Sequence, residues 1–251
     1  MRKWKITAIQ TGTIEMEKSI GTYLKNNGVV VNIPSISFVL ESLDESETII
    51  VDTGFESVER SERIQKQRAW RSEDQNLEAV LRDTGIKPEL IRTGILTHLH
   101  FDHCGQNHLF PNAKFYVQHS ELRYAFAPLP DEYTPYFSPL IGEMPSFLGT
   151  DFEIIEGDAE ITDGVRVVHT PGHTPGGQTV LVETSGGVYA IPGDNVFFYE
   201  NIENNIPCGH IYSRADWFSS MKKVRSMSDY IIPSHENLLF RETPAVFPRS
   251  T

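Results

Sequence analysis

The sequence predicts an α/β (α+β) protein in which two sheets pack face to face with helices outside. Two observations carry this prediction. Runs of β-branched and apolar residues recur in both halves of the chain, and a helical stretch follows the runs in each half. A third observation, a crowd of imidazoles at one strand end, gives the fold its purpose.

The 251 residues suffice for one domain, 1–251, with a core that needs no covalent staples. Apolar content of 39% and charged content of 22% are ordinary for a globular chain. A net charge of −12 argues against a nucleic acid partner, since phosphate backbones are gripped by clustered Lys and Arg. Cys104 and Cys208 are too few and too far apart for a disulfide framework. Their usage suits a reducing cytoplasm. The N-terminus lacks the apolar core of a signal peptide, and no apolar run nears the roughly 20 residues that cross a bilayer. The expectation is therefore a cytoplasmic protein, monomer or homodimer, that acts on a small molecule and has neither nucleic acid nor membrane as partner.

In chain order, "VNIPSISFVLES" and "ETIIVDTGF" read as strands joined by the polar turn "LDESE". A helical stretch runs from Val58 to about Gly85, with Leu77, Val80 and Leu81 at helical spacing. "GILTHLH" and "AKFYVQH" are short strands, and "SELRYAF" is a helix. Residues 127–150, rich in Pro and aromatics, have no period; a loop this long is often functional and reads as a lid or insertion. Strands return with "DFEIIEG", "AEITDGVRVVHT", "GQTVLVETSGGVYAIPGD" and "YIIPSHE". The helix "RADWFSSMKKVRSM" lies before the last of these, capped by Ser213 or Asp216.

"THLHFDHCG" packs His98, His100, Asp102 and His103 into six residues. Imidazole is the commonest protein metal ligand, and carboxylate completes hard or borderline sites. In extended backbone His98 and His100 project to the same side and can grip one cation. Asp102 and His103 lie past the strand end and turn to a second position, with Gly105 allowing a sharp bend. Two ions roughly 3.5–4 Å apart can hold a bridging hydroxide at neutral pH and polarise a carbonyl. One cluster cannot fill two coordination spheres. His173, Asp194 and His235 each sit at the end of a predicted strand, where such residues converge on one edge of a sandwich.

With these residues in place the sequence resembles the metallo-β-lactamase superfamily over nearly its whole length. The signature H-x-H-x-D-H is present as His98-Leu99-His100-Phe101-Asp102-His103, and "VDTGF" matches the earlier motif whose Asp, here Asp52, supports the ligands from behind. The resemblance implies a four-layer αβ/βα sandwich of two mixed sheets, with the metals along its edge. It implies that His98, His100 and His173 bind one metal, that Asp102, His103 and His235 bind a second, and that Asp194 bridges. The cofactors implied are two divalent ions, zinc first, with manganese, iron or cobalt also suited to imidazole and carboxylate. His108, His119, His169 and His210 match no ligand position, and Cys104 reads as packed rather than reactive.

The spacing through "IVDTGF" and "GDNVFFYENIENNIP" is most like the N-acyl homoserine lactonase branch. That likeness implies lactone ring opening by attack of a hydroxide held between the metals, with Asp102 or a nearby acid returning a proton to the leaving alkoxide. In that branch a Tyr three residues after the bridging Asp helps hold the substrate carbonyl. Here the position is Phe197, and Tyr199 is the hydroxyl offered instead. Phe101, Phe126, Tyr133, Tyr136, Phe137, Phe147, Phe197 and Phe198 are the aromatic supply for a pocket. Two alternatives stand beside the lactonase reading. One is a hydrolase of another acyl bond, a thioester or cyclic amide; the other is a mononuclear iron dioxygenase of sulfur compounds using His98, His173 and Asp194.

Overall fold

A computed structural model describes residues 1–44, 46–241 and 245–248. The strands in chain order are β1 (Trp4–Glu17), β2 (Val30–Ser42), β3 (Thr48–Val51), β4 (Ala69–Trp70), β5 (Thr93–Ile95), β6 (Lys114–Gln118), β7 (Phe152–Ile155) and β8 (Ala159–Thr162). They continue with β9 (Val165–His169), β10 (Gln178–Thr184), β11 (Gly187–Ile191), β12 (Tyr230–Ile231) and β13 (Ala245–Phe247). The helices are α1 (Val58–Gln65), α2 (Leu77–Asp83), α3 (Phe101–Cys104), α4 (His119–Phe126), α5 (Tyr199–Glu203) and α6 (Arg214–Met227).

Among the described residues one sheet runs β13-β1-β2-β3-β5-β6-β7, with β4 also paired to β1; the other runs β12-β11-β10-β9-β8. Both are mixed. β3, β5, β6 and β7 pair in parallel, whereas β1, β2 and β3 are antiparallel. In the second sheet only β11 and β12 pair in parallel among the described strands.

Period-two alternation sorts strand residues into separate cores. Leu40, Ile49, Val51, Val180 and Val182 face the space between the sheets, joined there by Trp4, Phe38 and Val167. Their neighbours Val39 and Ile50 point outward and meet Leu77 and Leu81 of α2 and Ala125 of α4. Val168, Leu181 and Ala190 point outward from the second sheet and meet Val224 of α6. The layers are thus helix, sheet, sheet, helix, as the resemblance implied.

Two local expectations are revised. The helical stretch from Val58 to Gly85 is α1 and α2 with β4 between them, because Ala69 and Trp70 pair with Ile14 and Thr13 of β1. "GILTHLH" is strand only to Ile95, so His98 and His100 lie in the loop beyond the sheet. Residues 127–150 hold only the 3-10 turns Pro130–Glu132 and Pro139–Ile141, and within this segment Glu132, Tyr136, Phe137, Ser138 and Phe147 are buried. Ser213 caps α6 as expected, its hydroxyl accepting from the Asp216 amide at 3.3 Å.

Candidate metal centre

Strand direction brings the chemical residues together. β3 and β5 are parallel, and β9, β11 and β12 share one direction in the second sheet. Asp52 follows β3, the His cluster follows β5, and His173, Asp194 and His235 follow β9, β11 and β12 in turn. Each loop leaves the carboxyl end of its strand, so five loops meet on one edge. Asp102 and His103 ride on the single turn α3. Gly105 closes that turn for a reason other than a sharp bend. Its backbone is ordinary right-handed helix, but a Cβ there would sit 2.2 Å from the Glu56 amide nitrogen.

The donor atoms form two trios. His98, His100 and His173 offer nitrogens that all lie within 4.8 Å of one another, and so do the ligand atoms of Asp102, His103 and His235. Asp194 stands between them. Its Oδ1 is 3.1 Å from His103 Nε2 and 3.0 Å from His235 Nε2; its Oδ2 is 3.5 Å from His173 Nε2 and 3.9 Å from His98 Nε2. All seven residues are 8% exposed or less.

Every imidazole is held from behind. Asp52 Oδ2 accepts from His103 Nδ1 at 2.8 Å, the Pro34 carbonyl from His235 Nδ1 at 2.8 Å, and the His210 carbonyl from His173 Nδ1 at 2.7 Å. Glu132 Oε2 lies 3.1 Å from His100 Nε2. The Thr97 hydroxyl donates to Asp52 Oδ2 at 2.7 Å, which leaves its oxygen to accept from His98 Nδ1 at 3.1 Å. The proton of each neutral ring therefore sits on the outer nitrogen and the inner one keeps a lone pair.

This arrangement fits cations rather than internal hydrogen bonds. His98 Nε2, His103 Nε2, His235 Nε2 and Asp194 Oδ1 are buried and make no hydrogen bond. His100 Nδ1 and His173 Nε2 face each other at 3.0 Å with both outer nitrogens already committed as donors. Two lone pairs at that distance repel unless positive charge lies between them. The trios also differ electrically. Burial, with the neighbouring imidazoles, pushes His98 well below its ordinary range, and burial brings His173 down to about 3. For His103 and His235 burial acts the same way, but Asp194 and Asp102 outweigh it and raise both rings. The second trio thus attracts positive charge strongly, while the first offers neutral rings.

Not every aromatic residue expected at a pocket is brought to this centre. The Phe197 ring is 4.7 Å from His235 and 5.8 Å from His173, and Tyr136 is 4.5 Å from His100 with its hydroxyl donated to Glu121 at 2.7 Å. Phe101 stacks on Phe137 at 5.1 Å, and both belong with Phe197 and Phe198 to the cluster beneath the centre. Phe147 is instead core outside the first sheet, with the half-exposed Phe126 against it at 5.5 Å. Tyr133 is part-buried on the 127–150 segment. Tyr199 is corrected too. The chain turns into α5 at Tyr199, whose ring packs on the inter-sheet cluster and lines a surface cleft with Tyr189, Ile202 and Arg225.

Cys104 is buried, its thiol against the Leu99 and His100 carbonyls, and burial pushes its pKa up. His119 and His169 lie away from the donors, against Glu156 and the Pro175 carbonyl, and His108 is exposed. His210 is different. Its ring is 5.5 Å from His173 and 5.7 Å from His100, and its Nε2 is 2.8 Å from Glu132 Oε1. Neither His210 nor Glu132 carried a signal in the sequence, because both lie in irregular segments outside any strand end.

An edge of a four-layer sandwich bearing two donor trios about a shared carboxylate defines a class of metal-dependent enzyme. A family model of the metallo-beta-lactamase superfamily matches residues 32–235, and the chain belongs to that superfamily. An N-acyl homoserine lactonase of Bacillus cereus is 29% identical, the match covering 97% of this chain and 91% of the relative. Another, from a Bacillus species, is 30% identical with the same coverage. A solved N-acyl homoserine lactone hydrolase, with the product N-hexanoyl-L-homoserine at its catalytic metal centre, superposes with a TM-score of 0.79 at 25% identity over 95% of each chain.

Proposed function

We propose that this chain is a dinuclear metal-dependent hydrolase that opens the lactone ring of an N-acyl homoserine lactone or a related cyclic ester. The observation that carries this is the pair of donor trios around Asp194, in a chain similar over 97% of its length to N-acyl homoserine lactonases. His98, His100 and His173 would hold one divalent ion, Asp102, His103 and His235 the other, with Asp194 between. Two such ions supply Lewis acidity and lower the pKa of bound water toward neutrality. We take zinc as the metal on the strength of the donor set: five of the six trio residues are imidazoles and Asp102 is the sixth.

The protein's own part is orientation and proton handling. Asp52 and Thr97 hold His98 and His103 with their lone pairs inward. Asp102 is the most exposed of the seven residues, at 8%, and this supports it as the group that returns a proton to the leaving alkoxide. Phe197 walls the centre without a hydroxyl, so carbonyl recognition by a phenol is missing from that position. That absence favours one second reading, hydrolysis of a thioester or cyclic amide. The completeness of the Asp102, His103 and His235 trio weighs against a mononuclear iron dioxygenase. The two buried, unpaired cysteines suit a reducing cytoplasm.

The test is a substrate panel on protein whose metal content has been measured. Homoserine lactones of several acyl lengths are expected to turn over with two ions per chain. Asp194→Ala, which removes an oxygen from each trio, is expected to cost at least about a hundredfold. Inert lactones beside a hydrolysed thioester or amide, or full activity in metal-stripped protein, would end this reading.

A further inference from the structure

The 127–150 segment delivers one buried carboxylate to the back of the metal centre. Glu132 is 4% exposed and closes the 3-10 turn Pro130–Glu132. Each of its oxygens serves a different imidazole: Oε2 stands 3.1 Å from His100 Nε2 and Oε1 stands 2.8 Å from His210 Nε2. The other four imidazoles of the centre are oriented by Thr97, Asp52 and two backbone carbonyls. His100 alone among them depends on a side chain carried by this segment.

The segment is anchored well enough to do this. The Pro135 carbonyl accepts from the Phe101 amide at 2.8 Å, one residue along from His100. The Thr134 carbonyl accepts from Gln65 Nε2 at 2.8 Å, and Arg63 of α1 pairs with Glu143 at 3.0 Å. Arg60 also donates to the Met144 carbonyl. These ties make the segment a strut between α1 and the His cluster.

We infer that Glu132 is a positioning residue for one ion only, the ion of His98, His100 and His173. By accepting the Nε2 proton it turns His100 Nδ1 inward, where it meets His173 Nε2 at 3.0 Å. Without that acceptor the ring can rotate or change tautomer, and the first trio loses a donor. The second trio has no bond to Glu132 and keeps its ion. Carboxylates behind ligating imidazoles are typically worth about tenfold to a hundredfold in metal affinity. This inference rests on the two-metal part of the proposed function and not on the lactone.

Zinc-loaded protein dialysed against graded chelator is the test, with zinc per chain as the readout. Glu132→Gln keeps the length and one acceptor but puts an amide NH2 where the second oxygen was, and Glu132→Ala removes both. Glu132→Ala is expected to fall to one zinc per chain at chelator concentrations about tenfold to a hundredfold below those the parent withstands, and Glu132→Gln, whose oxygen can still accept from His100, to fall between Glu132→Ala and the parent. Anomalous scattering should locate the retained ion at Asp102, His103 and His235. His210→Phe, which leaves the bond to His100 in place, is expected to hold both ions within about twofold of the parent. Unfolding of metal-stripped Glu132→Gln should match the metal-stripped parent, separating this role from a merely structural one. Two ions held by Glu132→Ala as tightly as by the parent, both ions lost together, or a His210→Phe curve matching Glu132→Ala would each overturn the inference. A parent that binds no zinc at all would overturn it together with the two-metal reading.

Discussion

Phe197 lies ring to ring against His235 at 4.7 Å and is 4% exposed, so its ring is buried beside the metal centre. A hydroxyl there would act on two separate quantities. A well-aimed donor to a developing oxyanion is worth about 2.7–4 kcal/mol, at most about a hundredfold to a thousandfold in rate. Burying a hydroxyl costs about 1–3 kcal/mol, and that cost falls on folding stability, because the free enzyme already bears it. Phe197→Tyr is therefore expected to raise kcat/KM for homoserine lactones by at least about tenfold with metal content unchanged, and to lower stability by about 1–3 kcal/mol. Steady-state kinetics decide it; a loss of activity with both ions in place would mean that the ring edge does not face the substrate carbonyl.

At the scale of elements, what could be read from sequence follows from which interactions are local. Alternation in "FVLES" and "TVLVET" marks strands because each side chain answers only to its own face, and the structure sends Leu40 and Val182 inward and Val39 and Leu181 outward accordingly. The helical stretch through Val58 to Gly85 misled because Ala69 and Trp70 are claimed by β1, a partner more than fifty residues away in sequence. Tyr199 misled because its ring packs on the inter-sheet cluster, and Glu132 and His210 were silent because their chemistry exists only when two irregular segments meet. The metal-centre residues were legible because each lies in the loop or single turn that follows a strand. Capping is local too: Ser213 accepts from the Asp216 amide at 3.3 Å, and α6 buries Trp217, Met221 and Val224 behind it. Ser213→Ala is expected to cost about 1 kcal/mol in chemical denaturation with the denaturant slope unchanged. An unchanged midpoint would show that the first turn is held by its packing alone.

For the whole molecule, the centre is a fastening between the two sheets. Asp52, His98, His100, Asp102 and His103 come from loops after strands of the first sheet, whereas His173, Asp194 and His235 come from loops after strands of the second. Each donor trio draws on both sheets, so an ion in either trio spans the sandwich at its edge. Ions also relieve the crowding of buried lone pairs at His98, His103 and His235, which the unfolded chain does not suffer. Both effects make the folded form the tighter binder. With free metal about a thousandfold above its dissociation constant, one site contributes about 4 kcal/mol of stability. For a chain of this size each kcal/mol moves the unfolding midpoint by about 2–4 °C. Removing the ions by chelation is therefore expected to lower Tm by about 10 °C or more, and adding metal back should restore it in proportion to occupancy. Calorimetry on stripped and reloaded protein measures this directly, and equal midpoints in the two samples would mean that the sheets are held together without help from their shared edge.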